Sequence, residues 1–121
     1  MAMLKKGDIV WCELFVTNKD ENLQSGRRPC IVLGNKKSVL YSPIVTIVPL
    51  TSRLNKEKSI PTHCIVSTND TVYKKLPKVS VALIEQMRAV SKTNCLEKID
   101  SLNSSKIKEL EKNIKHQLGI K

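Results

Sequence analysis

The sequence predicts a small, mainly β protein, in which a barrel of short strands is closed by one C-terminal amphipathic helix. Short apolar and β-branched runs recur along the first 90 residues, and polar or Gly- and Pro-containing turns separate them. This spacing is typical of small barrels rather than βαβ sheets. The last 20 residues change to a helical period. With 121 residues, 40% of them hydrophobic, the chain is expected to form one domain over 1–121.

The first half of the chain contains two predicted strands. The first spans 9–14, after a turn at 6–8. A polar stretch without periodicity follows at 16–25 and is expected to be an exposed loop. The apolar run 30–33 then gives the second strand, and Gly, Asn, Lys and Ser at 34–38 indicate a turn.

The run 44–50 is the strongest β segment, because β-branched residues occupy both of its faces. Pro49 is expected to mark the edge or the end of this strand, since proline cannot donate to a ladder. A strand that is apolar on both faces needs cover on both sides. The second cover is expected from either a partner subunit or the C-terminal helix.

Three further short strands are predicted at 61–66, 79–83 and 87–90. A charged, hairpin-like loop precedes the first of them at 53–58, and a basic turn at 74–78 precedes the second. The strands are therefore short and closely spaced, as a barrel requires.

The closing helix is predicted from a candidate N-cap residue and from a stripe of apolar residues at helical spacing. Asn103 is a candidate N-cap, with Leu102 and Ile107 in the spacing of a hydrophobic staple. The stripe ends before Gly119 and consists of Ile107, Leu110, Ile114 and Leu118. The helix could bind a partner or carry lysines to a phosphate, but packing on its own barrel, with the lysines in water, is the commoner arrangement.

The charge balance points to an anionic partner. Lys and Arg number 21 against 11 Asp and Glu, which gives a net charge of +10. Such a charge attracts polyanions, so nucleic acid is the first partner to consider. Aromatic residues make up only 3% of the chain, too few for a base-stacking platform. Recognition is therefore expected to depend on hydrogen bonds, arginine and groove shape.

No apolar run approaches 18 residues, and the N-terminal residues lack the apolar region of a signal peptide. A cytoplasmic location and no membrane contact are therefore expected. The four cysteines include no C-x-x-C pair, so the sequence predicts neither a metal site nor a cofactor. Small buried hydrophobic residues are the expected role of Cys12, Cys30 and Cys64.

Two arginines occur where the polar loop meets the second strand, in the order Gly26, Arg27, Arg28, Pro29. Pro29 restricts Arg28 to extended geometry, and Gly26 permits a tight bend just before it. Arg28 is therefore expected at a rigid strand end. Its planar guanidinium presents a fork of N–H donors that matches two phosphate oxygens. An anion or RNA site is therefore one interpretation, and a surface salt bridge is the other.

Thr51 leaves the strand 44–50, whereas Arg28 leads into the second strand. If the two strands are antiparallel neighbours, these ends meet and place a cation beside a hydroxyl, with Ser52 as a second hydroxyl. RNA cleavage without a metal needs such groups, because the 2′-OH of the substrate attacks phosphorus and the protein stabilises the extra negative charge.

At this point the sequence resembles the MazF/PemK family of toxin endoribonucleases. Five matching segments occur in family order over nearly the whole chain: 6–10, 26–32, 48–51, 61–63 and 81–88. The resemblance implies an SH3-like β-barrel with a C-terminal helix, a homodimer, and metal-independent, sequence-specific cleavage of single-stranded RNA or mRNA. The products would be 2′,3′-cyclic phosphate and 5′-OH ends. It also implies inhibition by an acidic, MazE-like antitoxin.

The resemblance implies that Arg28 and Thr51 are the catalytic pair. Arg27 should point away from Arg28 and is not expected to take part. His63 is interpreted as a residue that orients a strand start. The residues predicted to bind substrate are Ser52, Arg53, Gln86 and Arg88. An ion pair between Glu85 and Arg88 is the alternative for that segment.

Two other functions are compatible with the same barrel. One is a gyrase-binding toxin without nuclease activity, which would use the end of the C-terminal helix. The other is a noncatalytic RNA-binding barrel, which the charge alone would allow. Specificity for an RNA sequence is expected in the loops at 16–25, 52–60 and 67–78.

Overall fold

The computed structural model describes residues 3–15, 23–53 and 63–121. Within these ranges the elements are β1 (Asp8–Leu14), β2 (Gly26–Leu33), α1 (Lys36–Tyr41), β3 (Ile44–Thr51), β4 (Cys64–Val66), β5 (Ser80–Ala82), β6 (Arg88–Ser91), β7 (Cys95–Ser101) and α2 (Ser104–Leu118). The strands form one curled antiparallel sheet in the order β4-β5-β3-β2-β1-β7, and β6 also pairs with β3. The predicted β fold with a C-terminal helix is confirmed.

Alternate side chains of β3 enter two hydrophobic clusters, one on each face of the sheet. Val48 and Leu50 belong to the cluster that contains Leu110 of α2. Val45 and Ile47 belong to the cluster that contains Val39 of α1. The C-terminal helix therefore supplies one of the covers that β3 requires, and residues of the same chain supply the other.

Gly7 allows α2 to begin close to the sheet. It has φ +92°, and a Cβ at this position would lie 2.6 Å from Cδ1 of Ile107. Its carbonyl accepts from the N–H of Leu102 at 2.9 Å, just before the helix. Asn103 caps the helix by accepting from the N–H of Lys106 at 2.9 Å, as predicted. The burial of the apolar stripe decreases toward the end of the helix, where Leu118 is 55% exposed.

The structure corrects two boundaries near the arginines. The second strand starts at Gly26 rather than at residue 30, because β1 continues the ladder through the pair Glu13 and Arg27. Residues 34–38 do not form a simple turn, since α1 starts there. Asn35 caps this helix by accepting from the N–H of Ser38 at 2.8 Å, and Val39 is buried beneath it.

Pro49 does not end β3, which continues to Thr51. Pro49 is the last residue of β3 that pairs with β2, and the next residue, Leu50, pairs with Ala82 of β5. Because the strand changes partner here, the missing N–H of proline is tolerated. The carbonyl of Pro49 still accepts from the N–H of Leu83 at 2.9 Å.

Strand β7 was not predicted. It pairs with β1 at the end of the sheet, and the ladder contains two irregularities, which flank Val10. An edge strand with bulges, whose side chains are mostly exposed or half-exposed, lacks a clean alternation of apolar and polar residues. Two loop predictions and one strand start lie partly outside the described residues: 16–22 of the first loop, 54–58 of the second, and 61–62 of the strand predicted at 61–66.

All four cysteines are buried free thiols, so the role expected for Cys12, Cys30 and Cys64 is confirmed. Cys95 joins Cys12 and Cys30 in the cluster beneath α1, and the sulfurs of Cys12 and Cys95 lie 3.8 Å apart. A hydrogen bond with Cys30, together with burial, raises the pKa of Cys12 to about 12. Burial, followed by the contact with Glu109, raises the pKa of Cys64 to about 12.

In the part of the chain that the structure describes, no helix is both long and apolar enough to cross a membrane.

Candidate active site

Arg28 and Thr51 lie close to the end of the β2–β3 ladder. The ladder between β2 and β3 ends at Cys30 and Pro49, two residues from Arg28 and Thr51 respectively. Both residues line one cleft of about 370 Å³. β2 and β3 are therefore antiparallel neighbours, as the sequence prediction of this site requires.

The cleft combines apolar lining residues with exposed cations, which form its rim. Its apolar lining comes from Trp11, Pro29, Leu50, Leu76, Pro77 and Ile99. Its polar lining comes from Arg27, Arg28, Thr51, Ser52, Arg53, Lys78 and Ser80. Four of these side chains are cations, and no carboxylate is among the lining residues that the structure describes. The arrangement favours a negatively charged ligand with apolar parts, such as a phosphate chain that carries bases.

Arg28 is exposed, but its side chain is anchored. Its Nε donates to the carbonyl of Ser25 at 3.0 Å. Gly26 lies between these residues with φ +78°, a conformation that side-chain-bearing residues rarely adopt, and it turns the chain into β2. The hydrogen bond uses one of the five N–H donors of the guanidinium, so four remain for an anion.

Thr51 is 8% exposed, and its hydroxyl is oriented by its own backbone. Oγ1 accepts from the N–H of Arg53 at 3.2 Å, a turn typical of Ser and Thr. Since the oxygen accepts this bond, the hydroxyl proton can be donated elsewhere. Ser52 and Arg53 are both exposed at the rim, where the sequence analysis placed substrate-binding groups.

Arg27 makes different contacts from Arg28. Its guanidinium lies over the ring of Trp11 at 5.5 Å and its Nη2 is 3.9 Å from Glu97. Adjacent residues of a strand point to opposite faces, so this difference is expected. The contacts of Arg27 connect β1, β2 and β7, but Arg27 also lines the cleft, so its exclusion from the reaction stays a prediction.

The opposite wall of the cleft depends on Asp100, which sequence reasoning missed. Asp100 is fully buried and accepts from the backbone N–H groups of Tyr73, Lys75 and Ser101 at 2.6–2.9 Å. It therefore fixes the basic turn that continues into Lys78. Burial alone would raise the pKa of Asp100, but these hydrogen bonds outweigh it and lower the pKa below the ordinary value.

Gln86 and Arg88 do not line the cleft; both contact Gln24 instead. Gln86 Oε1 accepts from the N–H of Gln24 at 2.7 Å, and Nη2 of Arg88 donates to its carbonyl. The carboxylate of Glu85 contacts Nε2 of His63, whose side chain is only 4% exposed. This contact agrees with the structural interpretation of His63, because the residue immediately precedes β4.

The sequence profile of the PemK-like, MazF-like toxins of type II toxin–antitoxin systems matches residues 5–118. The chain belongs to this family. It is 37% identical over 118 residues to the endoribonuclease MazF of Staphylococcus saprophyticus, a match that covers 98% of this chain and 93% of that protein. The resemblance seen in the sequence is confirmed.

Solved structures of MazF proteins and of a further endoribonuclease show the same fold. MazF from Deinococcus radiodurans superposes with a TM-score of 0.73 at 21% identity, over 99% of this chain and all of that one. An endoribonuclease from mycobacterial species superposes with a TM-score of 0.75 at 15% identity, over 99% and 95% of the two chains. In a MazE–MazF complex from Deinococcus radiodurans, the matched chain has a TM-score of 0.71 at 19% identity, with full coverage of both chains.

Replacing Asp100 with asparagine is expected to destabilise this PemK-like, MazF-like fold by about 1–3 kcal/mol at pH 7, because an amide nitrogen would face the N–H of Lys75 and leave it without an acceptor. The lowered pKa means that the carboxylate stabilises the fold fully above its unfolded pKa, near about 4, and that this contribution disappears as the pH falls through the folded pKa. Urea unfolding at several pH values measures the difference, which should shrink at acidic pH.

Glu97→Gln is the matched control for this prediction, because Glu97 is a mostly exposed carboxylate of the same strand. It should change the free energy of unfolding by less than about 0.5 kcal/mol. Equal stability of Asp100→Asn and wild type at pH 7 would show that the buried carboxylate does not hold the basic turn.

Proposed function

We propose that this chain is an endoribonuclease that cleaves single-stranded RNA with the 2′-OH of the substrate as nucleophile. The carrying observation is the cationic cleft that Arg28 and Thr51 both line, two residues beyond the last pair of the β2–β3 ladder. The name of the Staphylococcus saprophyticus relative, an endoribonuclease, supports the same reaction class. The natural substrate would be mRNA, whose cleavage stops translation and growth.

In the proposed reaction, the 2′-oxygen forms a bond to phosphorus and the bond from phosphorus to the 5′-oxygen breaks. Solvent water takes the proton of the 2′-hydroxyl, and the departing 5′-oxygen takes a proton from solvent, so that Arg28 and Thr51 act as hydrogen-bond donors and keep their own protons. The free Nη donors of Arg28 stabilise the extra negative charge on phosphorus and donate to the departing oxygen. The hydroxyl of Thr51 donates a hydrogen bond to a phosphoryl oxygen. Because an arginine stays protonated at physiological pH, Arg28 is not assigned as the general base.

Ser52 and Arg53 bind the phosphates on either side of the scissile bond. Both are exposed directly after Thr51, so a bound backbone reaches them without a change in β3. Lys78 on the opposite wall supplies a further cation to the same strand of RNA. These contacts provide affinity rather than sequence recognition.

The lining of the cleft argues for a metal-independent reaction, since divalent cations prefer carboxylate oxygens and the charged lining groups described here are all cations. Incubating the protein with a long RNA in EDTA tests this. Cleavage that leaves 2′,3′-cyclic phosphate and 5′-OH ends supports the proposal. A 5′-phosphate product would exclude it, and RNA binding without cleavage would favour the noncatalytic barrel. If the protein neither binds nor cleaves the RNA, that result would favour the gyrase-binding toxin.

We also propose that the active form is a homodimer, as the family resemblance implies. The apolar residues on both faces of β3 give no support to a dimer, because both faces are buried within one chain. Light scattering at micromolar concentration should give about twice 13.6 kDa. A monomer that still cleaves RNA would contradict it.

A cytoplasmic acidic antitoxin, in part disordered before binding, is the proposed inhibitor. Its carboxylates would occupy the cationic rim around Arg28, so that RNA and antitoxin compete for one site. The MazE–MazF complexes among the similar structures are a precedent for such a partner. The four free thiols are compatible with a reducing compartment.

A further inference from the structure

Two side chains of the segment 84–88 hold the backbone of Gln24 at both of its polar groups. Its N–H donates to Oε1 of Gln86 at 2.7 Å, and its carbonyl accepts from Nη2 of Arg88. Gln24 precedes β2 and lies outside the strand ladder. The two side chains therefore provide the hydrogen bonds that a neighbouring strand would otherwise supply.

Ser25 connects this anchor to Arg28. The carbonyl of Ser25 accepts from Nε of Arg28 at 3.0 Å. Nε is bonded directly to the central carbon of the guanidinium, so a hydrogen bond at Nε restricts the plane of the whole group. Gly26, with φ +78°, turns the backbone between the carbonyl and the arginine. The direction of the Arg28 fork thus depends on where the Gln24–Ser25 backbone is held.

The burial of Arg88 indicates that the hydrogen bonds to Gln24 are part of the folded structure rather than a chance contact at the surface. Its Nε is buried and has no hydrogen-bond partner within 3–15, 23–53 and 63–121. Burying an unpaired donor of a charged group costs free energy. Arg88 is nevertheless buried, and its Nη2 donates to the carbonyl of Gln24.

We propose that Gln86 and Arg88 are positioning residues that orient the Arg28 guanidinium through the backbone of Gln24 and Ser25. They act on the phosphate only through Arg28, because neither residue lines the cleft. This inference rests on the proposed function for its effect on catalysis. Its structural content, the restraint of the guanidinium, can be measured without RNA.

The test compares Gln86→Ala with Gln86→Glu. Alanine removes the acceptor for the Gln24 N–H, whereas glutamate keeps an acceptor at the same reach. The chain has four arginines, so its Nε–H groups give a simple ¹⁵N NMR spectrum. The signal that is absent from Arg28→Ala identifies Arg28. In Gln86→Ala this Nε–H should exchange faster with water, and in Gln86→Glu it should stay protected.

Kinetics give the second measurement. Gln86→Ala should lower kcat by about 10- to 100-fold with little change in KM, because the fork is misdirected rather than removed. Gln86→Glu should be clearly more active than Gln86→Ala. A residue that contacts RNA directly would give the reverse order, since glutamate repels phosphate. Gln117→Ala, on the exposed end of α2, is the matched control and should leave the Arg28 signal and kcat unchanged.

Three outcomes decide the matter. Loss of Arg28 protection together with the kcat defect in Gln86→Ala supports the proposal. An unchanged Arg28 signal in Gln86→Ala overturns it, whether or not KM rises. If Arg28→Ala itself cleaves RNA at the wild-type rate, the proposed catalytic role fails, and the NMR comparison still decides whether Gln86 restrains the guanidinium.

Discussion

Arg28→Ala is expected to lower kcat for RNA cleavage by at least about 10²–10³-fold, the loss seen when one preorganised donor to a developing oxyanion is removed. The side chain is exposed and its described hydrogen bond goes to Ser25, so the fold should survive the change. Arg28→Lys should also be severely impaired, because an ammonium cannot donate along the planar fork of a guanidinium. Cleavage of a fluorescent RNA measures kcat, and circular dichroism checks the fold.

Thr51 provides a second arm of the same experiment. Thr51→Val has nearly the shape of threonine but no hydroxyl, whereas Thr51→Ser keeps the hydroxyl. Valine should be nearly inactive and serine should retain activity. Lys37→Ala removes an exposed cation of α1 and is the control for net charge. Wild-type cleavage by Arg28→Ala or Thr51→Val would remove the catalytic assignment.

An RNA that carries hydrogen in place of the single 2′-OH before the scissile phosphate is expected to remain uncut. The nucleophile is missing from this analogue, while every phosphate that Arg28, Arg53 and Lys78 can bind is retained. The analogue should therefore be a competitive inhibitor, with a Ki within about tenfold of the Kd of the uncut RNA. Inhibition of cleavage of a second, labelled RNA measures it.

Cleavage of the deoxy-substituted RNA would eliminate attack by the 2′-OH and would require another nucleophile. Failure of the analogue to bind would show that the 2′-OH is needed for recognition. A deoxy substitution several nucleotides away is the matched control and should leave cleavage at the original site intact.

The sequence predicted the parts of the fold in which local pattern and tertiary burial agree. The two-sided apolar run of β3 and the apolar stripe of α2 are such parts, and both were found. Strand β7 was missed because it lies at the sheet edge beside irregular pairing. Helix α1 was missed because six residues with one buried side chain, Val39, show too little periodicity to be distinguished from a turn.

The candidate site was predicted in part for a similar reason. Arg28 and Thr51 share one cleft, as predicted from the apolar runs that they flank, a feature that is visible in the sequence; their catalytic role, which the family resemblance implies, stays a prediction. Asp100 was not found, since its role depends on the N–H groups of Tyr73 and Lys75, which approach it only in the folded chain. The contacts of Gln86 with Gln24 span 62 residues and likewise require the tertiary structure.

The burial of all four cysteines has a practical consequence for labelling. The thiolate form of cysteine is the nucleophile that attacks a maleimide, and the raised pKa values of Cys12 and Cys64 keep these sulfurs protonated at neutral pH. A cysteine introduced on the solvent side of α2, such as Ser105→Cys, would therefore react with a maleimide dye far faster than the native thiols. The Ser105→Cys variant can thus carry one fluorophore without prior removal of the native cysteines, and that dye can report antitoxin or RNA binding in real time.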